Sequence, residues 1–455
     1  MEQGTANGFP PLLKDEDGTF TVRRRVYRDP EVLALEQNRV FRKCWLFLGH
    51  ESEIQEPGDY VLRRLGVDPV IVARDEHRAV RVYLNTCRHR GVRLCRSDRG
   101  NTSHFRCSYH GWTYANTGDL VGVTNIVEVY GHTFDKSRFG LASPPQVDSV
   151  FGLIFATWDP QAPSLKEYLG DALWYLQSIF DKWESGVEVL GPPIRTLIPA
   201  DWKPETENLG GDGYHTPVTH QSGFFLGMFA SKEVIAELGD MGPRPYVGRV
   251  VLCGHGHTFR VQQMGIMTPR PSFFGYPDKM WSEMESRMDE GQRDVQNRLS
   301  VMHGNIFPNL TVLENFKTST EQQGSACRYI RLALQVPVGP GRNEMLCWGF
   351  VPRSADAEWR QSSQNAYLRT VGPAGLFQID DTENFISITE HEGGPVLLDT
   401  DVVLEGGLRN EVDTSVEWRG TVYAADKTEQ TMRAFWRCWS DLMANAGNTA
   451  VGASR

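Results

Sequence analysis

Between about residues 40 and 160, apolar and polar positions alternate in short runs. "DPVIVARD" and "AVRVYLN" carry the two-residue period of half-buried strands, and the polar segment "EHR" between them predicts a hairpin. "RGNTSHFRC", "GWTYANTGDLVG" and "VFGLIFATW" continue the rhythm, with Gly, Asn and Asp at the turns. The period then changes. In "SLKEYLGDALWYLQSIFDKW" Leu165, Leu169, Leu173, Leu176, Phe180 and Trp183 recur at helical spacing, predicting one helix with Ser164 and Glu167 in capping-box spacing. Strands such as "RYIRLALQVPV" and "EMLCWGFVP" alternate with helical segments, and "DKTEQTMRAFWRCWSDLMANA" predicts a closing helix. The pattern predicts an α+β chain: a small all-β domain at 40–160, and a larger domain of antiparallel sheet and helices from 1–39 and 161–455.

At 455 residues the chain exceeds the roughly 250–300 residues over which one core keeps growing, in keeping with two domains. A formal charge of −10 argues against nucleic acid as a partner while leaving room for a local basic patch. Without a run of about 18 apolar residues, no membrane helix is expected. "MEQGTANGFPPLLKDEDGTF" lacks the basic start and apolar stretch of a secretory signal. The eight cysteines are therefore expected to be free thiols or metal ligands, and the expected setting is cytoplasmic.

Cys87, His89, Cys107 and His110 form two tight pairs, C-x-H and C-x2-H. Two thiolates and two imidazoles suit either tetrahedral zinc or a two-iron cluster. Zinc fingers favour pairs of like ligands, whereas here each pair mixes one Cys with one His. That mixture suits a Rieske cluster, in which one iron takes both sulfurs and the other both imidazoles. Arg88, Arg90, Arg93, Arg96, Arg99 and Arg106 surround these pairs, opposed within the segment by Asp98. They are either solvated turns or a docking patch for an acidic electron donor. Cys95 lacks the ligand pattern and reads as structural.

A second constellation lies in "ENLGGDGYHTPVTH" at 207–220. On a regular helix His215 and His220 would point about 140° apart, so sharing an ion requires a distortion, which Pro217 could permit. By themselves they fit two core histidines equally. Glu207, Asp212 and a Rieske motif in the same chain favour a non-haem Fe(II) site, with two histidines and one carboxylate leaving positions open for O₂.

With these residues in view, the chain resembles the large (α) subunits of Rieske non-haem iron aromatic-ring-hydroxylating dioxygenases, nearest the naphthalene, biphenyl and polycyclic-arene branch. The resemblance covers most of the chain, through "FRKCWLFLGHESEIQEPGDY", "CRHRG", "HFRCSYHGWTY", "ENLGGDGYHTPVTH" and "GPAGLFQIDDTENF". It implies a [2Fe-2S] cluster on Cys87, His89, Cys107 and His110, and mononuclear iron on His215, His220 and Asp381. Spacing alone does not choose between Asp380 and Asp381; the resemblance favours Asp381, leaving Asp380 as a neighbour or cap, with Glu383 at capping-box spacing. It also implies that Asp212 links His215 to His110 of an adjacent chain, a short electron path, because within one chain the two metals would lie too far apart. Asn208 and Glu207 fall near the iron, and Glu207 equally suits a structural ion pair. The implied partners are a ferredoxin, an NADH-dependent reductase and a small β subunit in an α3β3 oligomer. The implied reaction uses O₂ and NADH-derived electrons to cis-dihydroxylate an aromatic ring in hydrocarbon catabolism.

Leu209, Phe224, Phe377, Ile306 and Phe307 are candidates for an apolar, arene-sized pocket, as are Phe225, Leu226 and Met228; each also suits ordinary core packing. An arginine from the "GHGH" region (Arg244, Arg249 or Arg270) would instead suit an aromatic acid. His255 and His257 lack partners for a further metal. The alternatives are a monooxygenase or demethylase using the same metals on an aromatic acid, a simple Rieske electron carrier, and a structural zinc protein. The carrier leaves His215, His220 and Asp381 without a role, and the zinc protein would be colourless.

Overall fold

A computed structural model describes residues 11–16, 18–225, 247–263, 273–297, 299–318, 326–372, 374–390, 394–425 and 427–444, except for the side chains of 224, 225, 247, 317, 318 and 326. The chain divides into two compact units: Phe41–Leu165, and a unit built from Met1–Val40 together with Lys166–Arg455.

The first unit is almost entirely β. Strands β1 (Leu46–His50), β2 (Asp59–Leu65), β3 (Asp68–Arg74), β4 (Val80–Leu84) and β5 (Arg99–Asn101) are followed by β6 (His104–Arg106), β7 (Thr113–Ala115), β8 (Leu120–Gly122), β9 (Gln146–Val150) and β10 (Leu153–Thr157). They form three antiparallel sheets, ordered β4-β3-β2-β5, β8-β7-β6 and β9-β10-β1. The expected hairpin is β3–β4, with Val72 opposite Val82. Asp75 closes its turn by accepting from the backbone N–H groups of His77 and Ala79 at 2.9 and 2.8 Å, and from Arg81 Nε at 2.7 Å. Ile71, Ala73, Tyr83, Phe105 and Tyr114 pack into one core with Cys87 and Cys107.

In the second unit, α1 (Pro30–Glu36) precedes α2 (Leu165–Leu169) and α3 (Ala172–Phe180). The single helix expected over 164–183 is therefore two, broken at Gly170, whose φ of +49° leaves the helical region. A nine-stranded antiparallel sheet follows, comprising β11 (Val187–Val189), β12 (Ile194–Ile198), β13 (Val247–Leu252), β14 (Thr258–Gln263), β15 (Leu299–Ile306), β16 (Leu310–Thr318), β17 (Ala326–Gly339), β18 (Arg342–Pro352) and β19 (Thr421–Tyr423). Its order is β11-β18-β17-β16-β15-β14-β13-β19, with β12 also on β18. Against this frame stand α4 (Lys203–Gly211), α5 (Thr216–Thr219), α6 (Gln221–Phe225), α7 (Ala357–Val371), α8 (Leu376–Thr389) and α9 (Gln430–Ala444). Glu36, fully buried at the end of α1, accepts from Trp202 Nε1 (3.0 Å), Lys203 Nζ (2.8 Å) and Trp439 Nε1 (2.8 Å). One carboxylate thus ties the beginning of the chain to α9 and to the start of α4. Three donors, one of them cationic, compensate its desolvation.

Candidate metal centres

Cys87 and Cys107 open two loops of the same design. In each, the Cys N–H donates to the carbonyl five residues on (Val92 at 2.8 Å, Trp112 at 2.8 Å), and the glycine four residues on donates back to the Cys carbonyl (Gly91 at 2.9 Å, Gly111 at 3.1 Å). Gly91 and Gly111 have φ of +72° and +71°, a region costly for other residues, which explains the glycines ending "CRHRG" and "CSYHG". Both cysteines are buried free thiols. The His89 and His110 rings lie 4.7 Å apart. Trp112 stacks on His89 at 4.9 Å, and Tyr130 Oη lies 3.3 Å from His89 Nε2, leaving Nδ1 for other use. Nδ1 of His110 is buried without a hydrogen-bond partner. Tyr114 Oη accepts from the Arg88 N–H (3.0 Å) and lies 3.4 Å from Cys87 Sγ, within hydrogen-bond reach. A buried imidazole nitrogen with no partner among the described residues, beside two buried thiols, is unfavourable unless its lone pair is taken up; a two-iron cluster with two Cys and two His ligands takes it. Cys95 is buried in the same core, with its thiol pushed up to about 11 by burial. Arg88, Arg90, Arg93, Arg96, Arg99 and Arg106 are all exposed; Arg96 reaches Ser108 Oγ (3.2 Å) and Arg90 reaches Tyr109 Oη (3.4 Å).

The second centre grows from the end of α4. His215 and His220 flank the single turn α5, His215 at its N-cap and His220 at its C-cap. Pro217 sits in the first turn of α5, where its missing N–H leaves no bond unmade, so it starts a short helix rather than kinking a longer one. The two rings come within 5.2 Å. One ligand atom each from His215, His220 and Asp381 lies within 4.8 Å of the others. Asp381 Oδ1 is 3.6 Å from His215 Nε2 and 3.4 Å from His220 Nε2, yet it is buried without a hydrogen-bond partner among the described residues. A carboxylate oxygen and two imidazole nitrogens facing one point, with no proton well placed between them, fit one divalent ion.

Each imidazole has a second carboxylate behind it. Asp212 Oδ2 lies 3.2 Å from His215 Nδ1, close but off the hydrogen-bond direction, making this an electrostatic contact more than a formed bond. Asp212 Oδ1 accepts from the backbone N–H groups of Tyr214 (2.7 Å) and His215 (3.2 Å). Burial pushes the Asp212 carboxyl up, but His215 and these N–H groups hold it below the ordinary range. Asp380 Oδ2 takes the matching place, 3.4 Å from His220 Nδ1. The cap expected of Asp380 and Glu383 does not form: both lie inside α8, whose N-cap is Gly375, because the helix starts earlier than that spacing implies.

Asn208 Nδ2 is 3.4 Å from His215 Nε2. Glu207 accepts from Tyr27 Oη at 2.9 Å; burial pushes its carboxyl up to about 8, although its edge stays partly open. Phe377 packs against His220 with ring centroids 4.7 Å apart. Leu209 leans on the cluster of Leu313, Tyr329 and Tyr367. Ile306 and Phe307 are fully buried, and Phe307 packs against Phe435 at 5.4 Å, a core contact. Phe224 lies in α6, but its side chain, like that of Phe225, is outside the described set, as are Leu226, Met228, Arg244 and Arg270. Arg249 pairs with Asp413 at 2.8 Å. His257 is no ligand: Nε2 donates to the Tyr168 carbonyl (2.9 Å), and Nδ1 accepts from the Phe307 N–H (2.9 Å).

Sequence reasoning missed His303. Its Nδ1 donates to the Leu209 carbonyl (2.8 Å) while Nε2 accepts from Arg260 (3.1 Å). Burial, then Arg260, push it down to about 3, so it stays neutral and pins the end of α4. A lone histidine on a strand gives no local signal for this.

Residues 44–133 match the Rieske [2Fe-2S] domain family. The benzene 1,2-dioxygenase α subunit of Pseudomonas putida is 32% identical, over 95% of this chain and 93% of that protein. The chain belongs to the large-subunit family of the Rieske aromatic-ring dioxygenases. It is an oxidoreductase of that family, with a Rieske [2Fe-2S] domain, and no described helix is long and apolar enough to cross a membrane. The α subunit of N,N-dimethyl phenylurea N-demethylase from Sphingobium is 35% identical, over 96% of this chain and 92% of that protein. The solved structure of naphthalene 1,2-dioxygenase from Rhodococcus bound to indole superposes with a TM-score of 0.88 at 38% identity, covering 94% of this chain and 95% of that one.

Proposed function

We propose that this chain is the terminal oxygenase subunit of a multicomponent system that cis-dihydroxylates an aromatic ring. His215, His220 and Asp381 would hold a mononuclear iron; Cys87, His89, Cys107 and His110 would hold the cluster. The observation that carries the reading is the convergence of His215, His220 and Asp381, with an unpartnered Asp381 oxygen, in a chain that also bears a Rieske domain. When bound, the iron supplies O₂ activation and the cluster supplies single electrons. The chain's own residues prepare that site. Asp212 and Asp380, each beside an Nδ1, favour the proton there and leave both Nε2 lone pairs facing Asp381. Phe377 gives one wall of the site an apolar, flat surface suited to an arene. Asp212, mostly buried with an exposed edge, would bridge to His110 of a neighbouring copy, itself half-buried beside the exposed Tyr109. Electrons would come from NADH through a reductase and a ferredoxin. A relative named as a system's large oxygenase component, from Pseudomonas fluorescens, supports the multicomponent setting. A small β subunit and a cytoplasmic setting belong to the same reading.

A second reading, oxidative N-demethylation, rests on the 35% identity to a phenylurea N-demethylase subunit, against 32% to the benzene enzyme and 38% to the solved naphthalene enzyme. Turnover under ¹⁸O₂ with reductase and ferredoxin, against arenes, aryl carboxylates and N-methylated phenylureas, separates the two. Two labelled oxygens in one ring product support dihydroxylation; formaldehyde release from the urea with no diol from any arene replaces it with demethylation.

A further inference from the structure

Arg331 lies on β17 and is 2% exposed. Its Nη2 donates to Glu205 Oε1 at 2.6 Å and to Gln378 Oε1 at 2.9 Å. Glu205 belongs to α4 and Gln378 to α8, and both are buried. Glu205 precedes Asn208 by three residues and Gln378 precedes Asp381 by three, so each stands one helical turn from a residue of the iron site. Thr382 accepts from Gln378 Nε2 at 3.2 Å, which fixes the amide with its oxygen toward Arg331. One guanidinium therefore grips, at one level, the helix that leads to His215 and His220 and the helix that carries Asp381.

This arrangement is a poor source of stability. Three buried polar groups must be desolvated, and among the described residues Glu205 Oε2 and Arg331 Nε have no hydrogen-bond partner. Apolar side chains of similar volume would hold two helices against a sheet equally well. What charged, directional bonds add is a fixed distance. We propose that Arg331, with Glu205 and Gln378, is a positioning strut that sets the spacing of α4 and α8 and so makes His215, His220 and Asp381 converge on one ion.

The inference rests on the reading of His215, His220 and Asp381 as ligands, and the test separates the two. Full-length protein with its cluster intact and its mononuclear site emptied is titrated with Co(II), followed by visible absorbance and calorimetry. Gln378→Leu is expected to weaken Co(II) binding about tenfold and change the cobalt spectrum, while cluster absorbance stays unchanged. Gln378→Glu, still an acceptor for Arg331, should restore affinity to within about threefold. Glu205→Gln should weaken binding in the same direction, and it serves if Gln378→Leu does not fold. Wild-type affinity and spectrum in the folded variant overturn the strut. If unsubstituted protein takes up no cobalt, or His215→Ala takes it up unchanged, the ligand assignment itself falls.

Discussion

The two aspartates behind the histidines have different second duties. Asp380 sits inside a regular helix and, among the described residues, its carboxylate meets His220, whereas Asp212 sits at a helix end, with its carboxylate shared between His215 and two backbone N–H groups. Asp212→Asn keeps the backbone bonds but loses the charge. It should retain both metals by iron analysis while product formed per electron delivered falls at least tenfold; loss of the mononuclear iron would make Asp212 a site-forming residue instead. Glu207 yields a stability prediction. Its folded value of about 8 stands above the ordinary 4.5, so the folded state holds a proton that the unfolded state releases. That contribution is fully present below about 4.5, is lost as pH rises, and is gone above about 8. Glu207→Gln should flatten the fall in melting temperature between pH 5 and 8, and an unchanged slope would refute the assignment. At this scale the candidate cluster ligands were readable, because two cysteines and two histidines sit in two short strings. The choice of Asp381 over Asp380 was not. It depends on which oxygen meets Nε2, and that follows only once α8 is built.

Elements decide which of these side chains meet. The two histidines needed a broken helix, and the break was half-visible in Pro217, though the residue acts by starting a turn and not by kinking one. Gly211 ends α4 with φ of +152°, and a Cβ there would fall 2.5 Å from Thr431 Oγ1 of α9. Gly211→Ala should therefore destabilise the protein by more than about 1 kcal/mol, seen as a lowered melting temperature, and Thr431→Ala should recover part of it. If Gly211→Ala melts like the unsubstituted protein, the close approach is not real. The expected single helix over 164–183 failed at Gly170, since apolar periodicity runs through a break that changes the backbone but not the buried face. The residues of the Arg331 strut, at 205, 331 and 378, share no local pattern at all; only strand and helix packing assembles them.

At the scale of the molecule, six exposed arginines crowd the Rieske loops of a chain whose net charge is −10. A local positive field on a negative body orients an acidic donor as it approaches. Replacing Arg93 and Arg96 with Gln should slow stopped-flow reduction of the cluster at low salt and flatten its salt dependence; unchanged kinetics at all salt concentrations would leave these residues as solvated turns. The two-part organisation was readable from the change of period near residue 160, and the nine-stranded order was not, because non-local pairing leaves no trace in spacing.

Glu36 joins the opening helix to Trp202, Lys203 and Trp439, so one unit is sewn from both ends of the chain while Phe41–Leu165 is one uninterrupted stretch. During synthesis the two units are therefore unequal. The Rieske stretch is whole once residue 165 has been made, whereas α1 must wait until residue 439 before its indole partner exists. The Rieske unit can fold first, and the unit that carries His215, His220 and Asp381 closes after it.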